Sequence, residues 1–315
     1  MVTDTGGIND RSFNAAAWAG MQAASKQNSN IKVDYVQSRN EADYGPNLNG
    51  YVQQKCDLIV AVGGLMGDAT KAAASANPSS KFAIVDAKID LPNVYSMQFD
   101  TAQAAFLAGY LAAGVSKTGV VATYGGLKIP PVTIFMDGFA DGVAQYNKAK
   151  GKSVKVLGWD KAAQNGSFAN SFTDQNAGKR LSDQFVAQGA DVILPVAGGT
   201  GLGSASGAQQ SGGKYSVVWV DQDGCQSASQ YCPVFLSTVV KNMSDAVRDA
   251  VLKAADGSLT GGGGSIGTLG NNGVQLAPYH DLDNKVPADL KSELDQLKQD
   301  IVSGKVQVTS PAQPK

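Results

Sequence analysis

The sequence predicts an α/β protein with two similar lobes, each built on a mainly parallel sheet. Three observations support this prediction. Short apolar runs recur along the chain, segments with helical patterning separate them, and many runs end in Gly-Gly or in an Asp. Alternating strands and helices are typical of parallel sheets with right-handed crossovers. At 315 residues the chain also exceeds the usual length of a single domain.

The predicted strands are continuously apolar, as expected when a sheet is covered on both faces. They are DLIVAVGG (57–64), KFAIVDA (81–87), TGVVATYGG (118–126), KVLGW (155–159), DVILPVAGG (191–199), YSVVWVD (215–221) and VFLSTVV (234–240). Ligands of open parallel sheets bind beyond the carboxyl ends of the strands. The glycines and acids that follow these runs therefore mark the edge where a cleft is expected.

Helical patterning fills the segments between these strands. The predicted helices span residues 10–28, 42–54, 67–77, 101–115, 133–149, 174–189, 201–211 and 287–304. The last one begins after a Pro and ends near a Gly, as helices commonly do. GGGG at 261–264 is predicted to be a loop between a helix and a short strand. No internal sequence repeat is evident.

Charge and composition argue against several functions. Lys plus Arg (26) nearly balances Asp plus Glu (27), and the formal net charge is −1. Without a basic cluster interleaved with aromatic residues, nucleic-acid binding is not expected. No run approaches the ~18 apolar residues that span a bilayer, and no signal peptide is present. Met1 and Val2 already lie in an apparent strand, so we expect that the natural N-terminus has been trimmed.

The cysteines indicate a compartment. Cys225 and Cys232 lie in the polar loop DGCQSASQYCP, which is long enough to close on itself. We predict a disulfide between them, which implies an oxidising, extracytoplasmic environment; two free thiols are the alternative. Zinc is not expected, because His280 is the only histidine and is distant in sequence. Cys56 precedes an apolar run and is predicted to be a small buried residue.

Motifs of common enzymes are incomplete. GAQQSGGK (207–214) has one glycine too many for a phosphate-binding loop, and Tyr215 stands where Ser or Thr would bind magnesium. GGTGLG (198–203) has Ser204 at the third glycine position of the dinucleotide motif. A Ser-His-Asp triad would need His280, which we expect at the surface or in packing between lobes. We therefore predict no catalysis, no cofactor and no metal.

Four segments together resemble one known family. They are VTDTGGINDRSFN (2–14), FLAGYLAAGVSKTGVVATYGG (106–126), SFTDQNAGKRLSDQFVAQGADVILPVAGGTG (171–201) and GVQLAPYHDLDNKVP (273–287). In this order they are similar to the basic membrane protein (BMP) family of substrate-binding lipoproteins, the nucleoside-binding branch of the type I periplasmic binding proteins. The similarity extends over almost the whole chain.

The resemblance implies two α/β lobes joined by three crossover strands, the type I periplasmic-binding-protein fold. We place lobe 1 at residues 1–99 and 238–270, and lobe 2 at residues 100–237 and 271–315. Members of the family capture nucleosides, chiefly purine nucleosides, between the lobes and deliver them to an ABC transporter permease. The resemblance thus implies an extracytoplasmic monomer that is attached to the cell membrane by an N-terminal lipid anchor. We expect this anchor to lie outside the present chain.

The resemblance also assigns roles to two aromatic residues. Phe13 stands among polar residues, where it could be a hydrophobic staple of the first helix. The family motif instead places its ring against one face of the base. Phe172 matches the aromatic residue that covers the opposite face, although it could be a core residue and Phe168 could take this role. Stacking on aromatic rings contributes about 1–3 kcal/mol per base.

Two acids are expected to bind ribose. Asp86 and Asp221 end predicted strands, and the matching strands of sugar- and nucleoside-binding relatives carry an acid that accepts hydrogen bonds from ribose hydroxyls. Such charge-assisted bonds are stronger than neutral ones. The alternative for both is a helix N-cap, and Asp223 could share the position of Asp221.

The remaining candidates complete the expected site. Asp4 and Asn9 are candidates for the base edge, because they offer an acceptor and a mixed donor-acceptor group. Asp10 is predicted to cap the first helix. Lys241 could reach the ribose or lie in the first turn of a helix. Two glycines are expected to let the backbone approach the ligand or to serve only as a turn: Gly198 and Gly199.

Three rival functions remain open at this stage. Two rings and two acids would also serve a pentose or another small sugar. A nucleoside-cleaving enzyme would need a cluster of metal-binding acids, of which VDQDG (220–224) supplies only two. A ligand sensor would have the same sequence features as a transport protein.

Overall fold

The structure, a computed structural model, describes residues 1–314. It contains fourteen strands within these residues. In chain order they are β1 (Val2–Thr3), β2 (Val36–Gln37), β3 (Ile59–Val62), β4 (Phe82–Val85), β5 (Val94–Phe99), β6 (Val120–Gly125), β7 (Lys155–Leu157), β8 (Trp159–Asp160), β9 (Asn165–Gly166), β10 (Val192–Val196), β11 (Ser216–Asp221), β12 (Phe235–Lys241), β13 (Gly264–Gly267) and β14 (Val274–Leu276).

The described part of the chain contains ten α-helices, nine between these strands and one after the last of them. They are α1 (Phe13–Gln27), α2 (Tyr44–Gln53), α3 (Gly67–Ala76), α4 (Thr101–Val115), α5 (Pro130–Lys150), α6 (Gln175–Ala187), α7 (Gly201–Gln210), α8 (Gly224–Ser227), α9 (Met243–Ala255) and α10 (Ala288–Val302). Within residues 1–314, no helix combines the length and the apolar character needed to cross a membrane.

Unit 1 comprises residues 1–99 and 242–267. Its sheet has the strand order β13-β5-β4-β3-β1-β2, and every neighbouring pair is parallel. Helix α1 packs closely on α9: a Cβ added at Gly20 would lie 2.4 Å from the backbone oxygen of Ser244. The core lies beneath the sheet and α2, where Leu48, Ile59 and Phe82 are fully buried.

Unit 2 comprises residues 100–241 and those from 268 onwards. Its sheet has the order β14-β12-β11-β10-β6-β7, and only β14 is antiparallel to its neighbour. The prediction of an α/β protein with two parallel sheets flanked by helices is therefore confirmed. Strands at the same position of the two sheets, such as β4 and β11, are equivalent, so the topology repeats although the sequence does not.

The chain passes between the two units three times, at 99/100, 241/242 and 267/268. The sequence-based boundaries after 237 and 270 differ from the last two of these. Strand β12 cannot be divided at residue 237, because it is paired with β11 and β14 as far as Lys241. Strand β13 pairs with β5 only as far as Gly267, so residues 268–270 lie in unit 2.

A hydrogen-bond network within unit 2 joins two of these passages. The Gln103 side chain donates to Asp100 (2.9 Å) and accepts from the Leu269 backbone (2.9 Å). The Gln313 amide also donates to both Asp100 oxygens, at 3.3 and 3.1 Å. Burial raises the pKa of Asp100. The C-terminal segment thus holds the start of α4.

Glycines set the spacing of α4 and α5. A Cβ added at Gly142 would lie 1.9 Å from the Phe106 backbone oxygen, and one at Gly109 would lie 2.0 Å from the Phe139 oxygen. Helix α4 is buried on nearly all sides, because it lies between the sheet and α5. Because the atoms in the way belong to the backbone of the facing helix, a Cβ at either glycine would force one of the two helices to move.

The substitution Gly142→Ala should therefore destabilise the protein by about 3 kcal/mol or more, because it overpacks backbone against backbone. Gly50→Ala in α2 is the matched control, since nothing lies within 4 Å of its added Cβ. The higher helix propensity of Ala should make the control neutral or about 0.5–1 kcal/mol more stable. Urea unfolding followed by circular dichroism measures both. Equal effects in the two variants would contradict this account of the α4–α5 contact.

Candidate ligand-binding site

The carboxyl ends of the central strands carry most of the predicted site residues. In unit 1, Asp4 follows β1 and Asp86 follows β4. In unit 2, Asp221 and Lys241 are the last residues of β11 and β12, and Gly198 lies just beyond β10. Because these strands are parallel to their neighbours, their ends meet at one edge of each sheet. This is the edge at which such sheets bind ligands.

The loop after β1 is organised by Asp10. Its carboxylate accepts hydrogen bonds from the backbone N–H groups of Ser12 (3.0 Å), Asn14 (2.8 Å) and Ala15 (3.1 Å). The Asn14 and Ala15 groups belong to the first turn of α1, whose N–H groups lack partners inside the helix. The N-cap residue is Ser12, and the predicted capping role falls to Asp10 through its side chain, which satisfies these N–H groups from two residues earlier. Burial raises its pKa.

Asp4 is a buried acid in the same loop, with 7% of its surface exposed. Its Oδ1 accepts hydrogen bonds from the Gly6 N–H (3.0 Å) and from Asn14 Nδ2 (2.7 Å). Burial raises the pKa of Asp4 to about 6, and the negative charges of Asp10 and Asp86 add to this effect while the two hydrogen bonds oppose it. The buried Asp4 carboxylate is thus costly to ionise, as is common at binding sites.

Asn9 and Phe13 lie in the same segment of the chain as this buried cluster. Asn9 is exposed, and Phe13, half-buried, is the first residue of α1. A hydrophobic staple joins the residue before the N-cap to the fourth helical residue. With Ser12 as N-cap, these positions are Arg11 and Ala16. Phe13 therefore does not occupy a staple position.

Asp86 and Asp221 share an uncommon backbone conformation. Their φ angles are +66° and +70°, in the left-handed region that L-residues other than Asn and Asp seldom adopt. Such a conformation costs roughly 1–3 kcal/mol and is concentrated at functional sites. Neither residue stands directly before a helix: strand β5 is the next element after Asp86, and the N-cap of α8 is Asp223, which accepts a hydrogen bond from the Cys225 N–H (3.1 Å).

Phe172 lies against the glycines of unit 2. A Cβ added at Gly126 would be 2.3 Å from its ring, and its backbone oxygen accepts a hydrogen bond from the Thr200 N–H (3.0 Å). The ring is half-buried. Phe168 is held differently, with its ring edge-to-face with the buried Trp159 at 6.1 Å. The backbone oxygen of Phe172 thus lies beside Gly198 and Gly199, whereas the Phe168 ring packs on Trp159 and Gly125.

Gly198 begins a short 3₁₀ helix after β10, with a φ of +51°. Only glycine adopts this conformation without strain. The Phe172 backbone oxygen would lie 3.7 Å from a Cβ at Gly198 and 3.2 Å from one at Gly199. The two glycines and Phe172 thus form one corner of unit 2.

Lys241 is 3% exposed, at the end of β12 and ahead of α9 rather than in its first turn. Its ammonium group lies 5.4 Å from the centre of the Phe135 ring of α5. This distance allows a cation–π interaction. A lysine is seldom buried so completely unless it is paired.

The disulfide loop follows Asp221. The structure joins Cys225 and Cys232 by a bond of 1.99 Å, and His280 Nε2 lies 2.7 Å from Asp223 Oδ2. His280 is therefore close to the cysteines in space, although it is distant in sequence. Asp223, Cys225 and His280 each bring a potential metal-ligand atom within 4.8 Å of the others. Because the Cys225 sulfur is in the disulfide, it offers no thiolate. Cys56 is half-buried, more exposed than predicted.

Comparisons with known proteins identify the family. A family model described as "ABC transporter substrate-binding protein PnrA-like" matches residues 1–311. The chain belongs to this Bmp family. The resemblance found in the sequence is thereby confirmed.

Two curated relatives and one solved structure agree with this assignment. A protein of Lactococcus lactis named "ABC transporter nucleoside-binding protein BmpA" is 35% identical over 98% of this chain and 88% of its own length. A protein of Pyrococcus horikoshii named as an uncharacterised lipoprotein is 30% identical over 95% of this chain and 72% of its own. An ABC-transporter solute-binding protein from Aeropyrum pernix K1 has a TM-score of 0.86 at 24% identity, over 98% of this chain and 92% of that one. The fold of this Bmp-family protein is of the type I periplasmic-binding class.

Two residues at the site of this Bmp-family protein were missed in the sequence. Asn14 is 1% exposed and bonds both Asp4 and Asp10, and Gly126 underlies the Phe172 ring. A polar residue on the buried face of α1 was a signal for Asn14. Gly126 carried no signal beyond its place after a strand.

The buried Asp4 should make the ligand-free Bmp-family protein less stable as the pH rises. Its pKa is about 6 in the folded state against an ordinary value of 3.8, so between these values the folded state binds more protons than the unfolded state. Stability from Asp4 is therefore present at low pH and lost as the pH rises through about 6. Asp4→Asn should reduce the fall in Tm between pH 4.5 and pH 7.5.

Differential scanning calorimetry at these two pH values measures this effect. Asp90→Asn is the control, because Asp90 is exposed and forms only a surface ion pair with Lys88. An unchanged fall in Tm for Asp4→Asn would contradict the assignment of this pKa to Asp4.

Proposed function

We propose that this substrate-binding protein of the Bmp family captures nucleosides, chiefly purine nucleosides, with residues of both units and delivers them to an ABC transporter permease. The observation that carries the proposal is that each unit contributes the same two elements. Each has a half-buried phenylalanine near its ligand-binding edge and a strand-terminal aspartate with positive φ. Phe13 and Asp86 belong to unit 1, and Phe172 and Asp221 to unit 2.

The two kinds of residue suit the two halves of a nucleoside. Aromatic rings stack on the flat base, and this interaction tolerates different bases. A carboxylate accepts hydrogen bonds from both vicinal hydroxyls of a ribose. A ligand without these hydroxyls would forgo these hydrogen bonds, so the acids favour ribose. Asp4 and Asn9 would then face the base edge, and Lys241 would offset the charge of the acids.

The name of the Lactococcus relative supports a nucleoside ligand. The lipoprotein name of the Pyrococcus relative supports an extracytoplasmic location and a lipid anchor. Membership of a substrate-binding family supports capture without chemistry. We propose that the protein acts as a monomer that closes on its ligand, so that the nucleoside stabilises the closed form.

A thermal-shift screen tests this function. Protein that has been unfolded and refolded to remove bound ligand is mixed with inosine, guanosine, adenosine, cytidine, uridine, free ribose or free adenine. Ligands that bind only the folded state raise Tm by mass action. We expect a rise with nucleosides, larger for purines, and little with ribose or adenine alone. A rise with ribose or other sugars and none with nucleosides would make the protein a sugar-binding member of the same fold.

The variants Asp86→Asn and Asp221→Asn should each weaken nucleoside binding more than tenfold, because an amide loses charge-assisted acceptance from the hydroxyls. Asn also tolerates positive φ, so the backbone conformation at either position should be retained. Asp90→Asn, an exposed acid on the same loop as Asp86, is the matched control. Isothermal titration calorimetry with inosine measures the effect. If either acid variant binds inosine with wild-type affinity, that aspartate does not belong to the binding site.

A further inference from the structure

Three potential metal ligands meet beside the disulfide of unit 2. A carboxylate oxygen of Asp223, the sulfur of Cys225 and a ring nitrogen of His280 lie within 4.8 Å of one another. Among residues 1–314, no other group of three His, Cys, Asp or Glu side chains comes together in this way. All three residue types bind zinc in proteins. The cluster therefore has the composition of a zinc site, except that its sulfur is part of a disulfide.

Strand β12 fixes the two segments that carry these ligands. In the first segment, the Gly224 N–H donates a hydrogen bond to Thr238 Oγ1 (3.0 Å). In the second, the Ala277 N–H donates to the backbone oxygen of the same Thr238 (2.9 Å), shortly before His280. Thr238 is buried. Both segments are therefore anchored to one buried residue, which keeps the ligand atoms together without a metal ion.

The side chains of Asp223 and His280 already face each other. Asp223 Oδ2 lies 2.7 Å from His280 Nε2, and Asp223 Oδ1 accepts a hydrogen bond from the Cys225 N–H (3.1 Å). The Asp223 and His280 side chains are 15% and 30% exposed, so an ion can reach them from solvent. Two ligands of one tetrahedral zinc ion lie roughly 3.3–3.8 Å apart. Shifts of about 1 Å would therefore bring the three ligand atoms to bonding distance of one ion.

The disulfide decides whether this cluster can bind zinc. A sulfur bonded to another sulfur is not a thiolate, and the thiolate is the form that binds metals. Cys225 and Cys232 are both half-buried, so a reductant has access to their bond. Reduction would free Cys225 as the third ligand and Cys232 as a fourth. Structural zinc sites have four ligands.

We propose that the disulfide masks a zinc site, which forms when the bond is reduced. The ligands are Asp223, Cys225, His280 and Cys232. Zinc would then hold the loop that follows β11 in place of the disulfide. Zinc was not expected from the sequence, because His280 is distant from the cysteines along the chain, but the fold brings it beside them. The inference goes beyond nucleoside capture and does not depend on it.

The chemistry balances with a dithiol as the reductant. A thiolate of the dithiol attacks one sulfur of the bridge and forms a mixed disulfide, and the second thiol of the reductant then displaces the other cysteine. The two electrons come from the dithiol, which becomes a disulfide itself, and the protein gains two thiols. When a thiol binds zinc, its proton passes to solvent.

Two cysteine variants test the site without a reductant. Cys232→Ser and Cys225→Ser both lack the disulfide, and each leaves one thiol in the loop. In Cys232→Ser this thiol is the one that lies beside Asp223 and His280. Isothermal titration calorimetry with zinc chloride should show one ion bound by Cys232→Ser, at least tenfold more tightly than by Cys225→Ser. Cys56 is present in both variants, so its contribution cancels.

Substitution of the other ligands attributes the binding to them. In the Cys232→Ser background, His280→Ala and Asp223→Asn should each weaken zinc binding at least tenfold. Asn is also a favoured N-cap residue, so Asp223→Asn should keep the start of α8. Asp289→Asn, at an exposed acid of α10, is the matched control and should leave zinc binding unchanged. With cobalt(II) in place of zinc, Cys232→Ser should show a thiolate-to-cobalt charge-transfer absorption that Cys225→Ser lacks.

The wild-type protein tests the masking by the disulfide. A phosphine reduces disulfides without competing for zinc, and intact mass confirms the reduction by the gain of hydrogen. We expect the oxidised protein to bind no zinc at this site and the reduced protein to bind one ion. Reduction should lower Tm. Zinc should restore part of that loss in the reduced protein, because it binds the folded state.

Equal zinc affinity in the two cysteine variants, or equal zinc binding by oxidised and reduced wild-type protein, would overturn the inference. A disulfide that the phosphine cannot reduce in the folded protein would also overturn it. If Cys232→Ser does not fold, reduced wild-type protein is compared with reduced His280→Ala, and equal zinc binding by these two proteins would refute the site. Absence of binding by every nucleoside would refute the proposed function and would have no bearing on the zinc site.

Discussion

The common direction of the strands is the constraint on which the rest of the structure depends. In a parallel sheet every strand ends at the same edge, so residues far apart in sequence become neighbours there. Asp4 and Asp86 follow strands β1 and β4, and the charge of Asp86 contributes to the raised pKa of Asp4. The sheet of unit 2 brings Gly198 and Asp221 to its own edge in the same way.

At these edges of the two sheets, the surrounding structure keeps several residues in conformations and environments that cost free energy. Asp86 has a positive φ, and its N–H donates a hydrogen bond to the Met97 oxygen of β5 (2.8 Å). Asp221 also has a positive φ, at the end of β11 where this strand pairs with β12. Asp4 remains buried and hard to ionise. Backbone strain and the desolvation of acids are typically retained at sites where they serve the function of the protein. A ligand that donates hydrogen bonds to these acids would relieve part of the cost.

The sequence predicted the regular parts of the fold because their signals are local. Continuous apolar runs located strands such as β10, and helical patterning located helices such as α4. Strand β5 was missed because polar Ser96 and Gln98 interrupt it, although Ser96 is buried and its hydroxyl accepts a hydrogen bond from the Ile89 N–H. The contact of His280 with Asp223 and the role of Asn14 depend on side chains brought together by the fold, which no local pattern contains.

The most direct test of the central claim is a crystal structure of the protein with inosine bound. The account predicts a base between the rings of Phe13 and Phe172, with ribose hydroxyls within hydrogen-bonding distance of Asp86 or Asp221. A nucleoside bound at the amino ends of the strands, or with its ribose away from both aspartates, would contradict it.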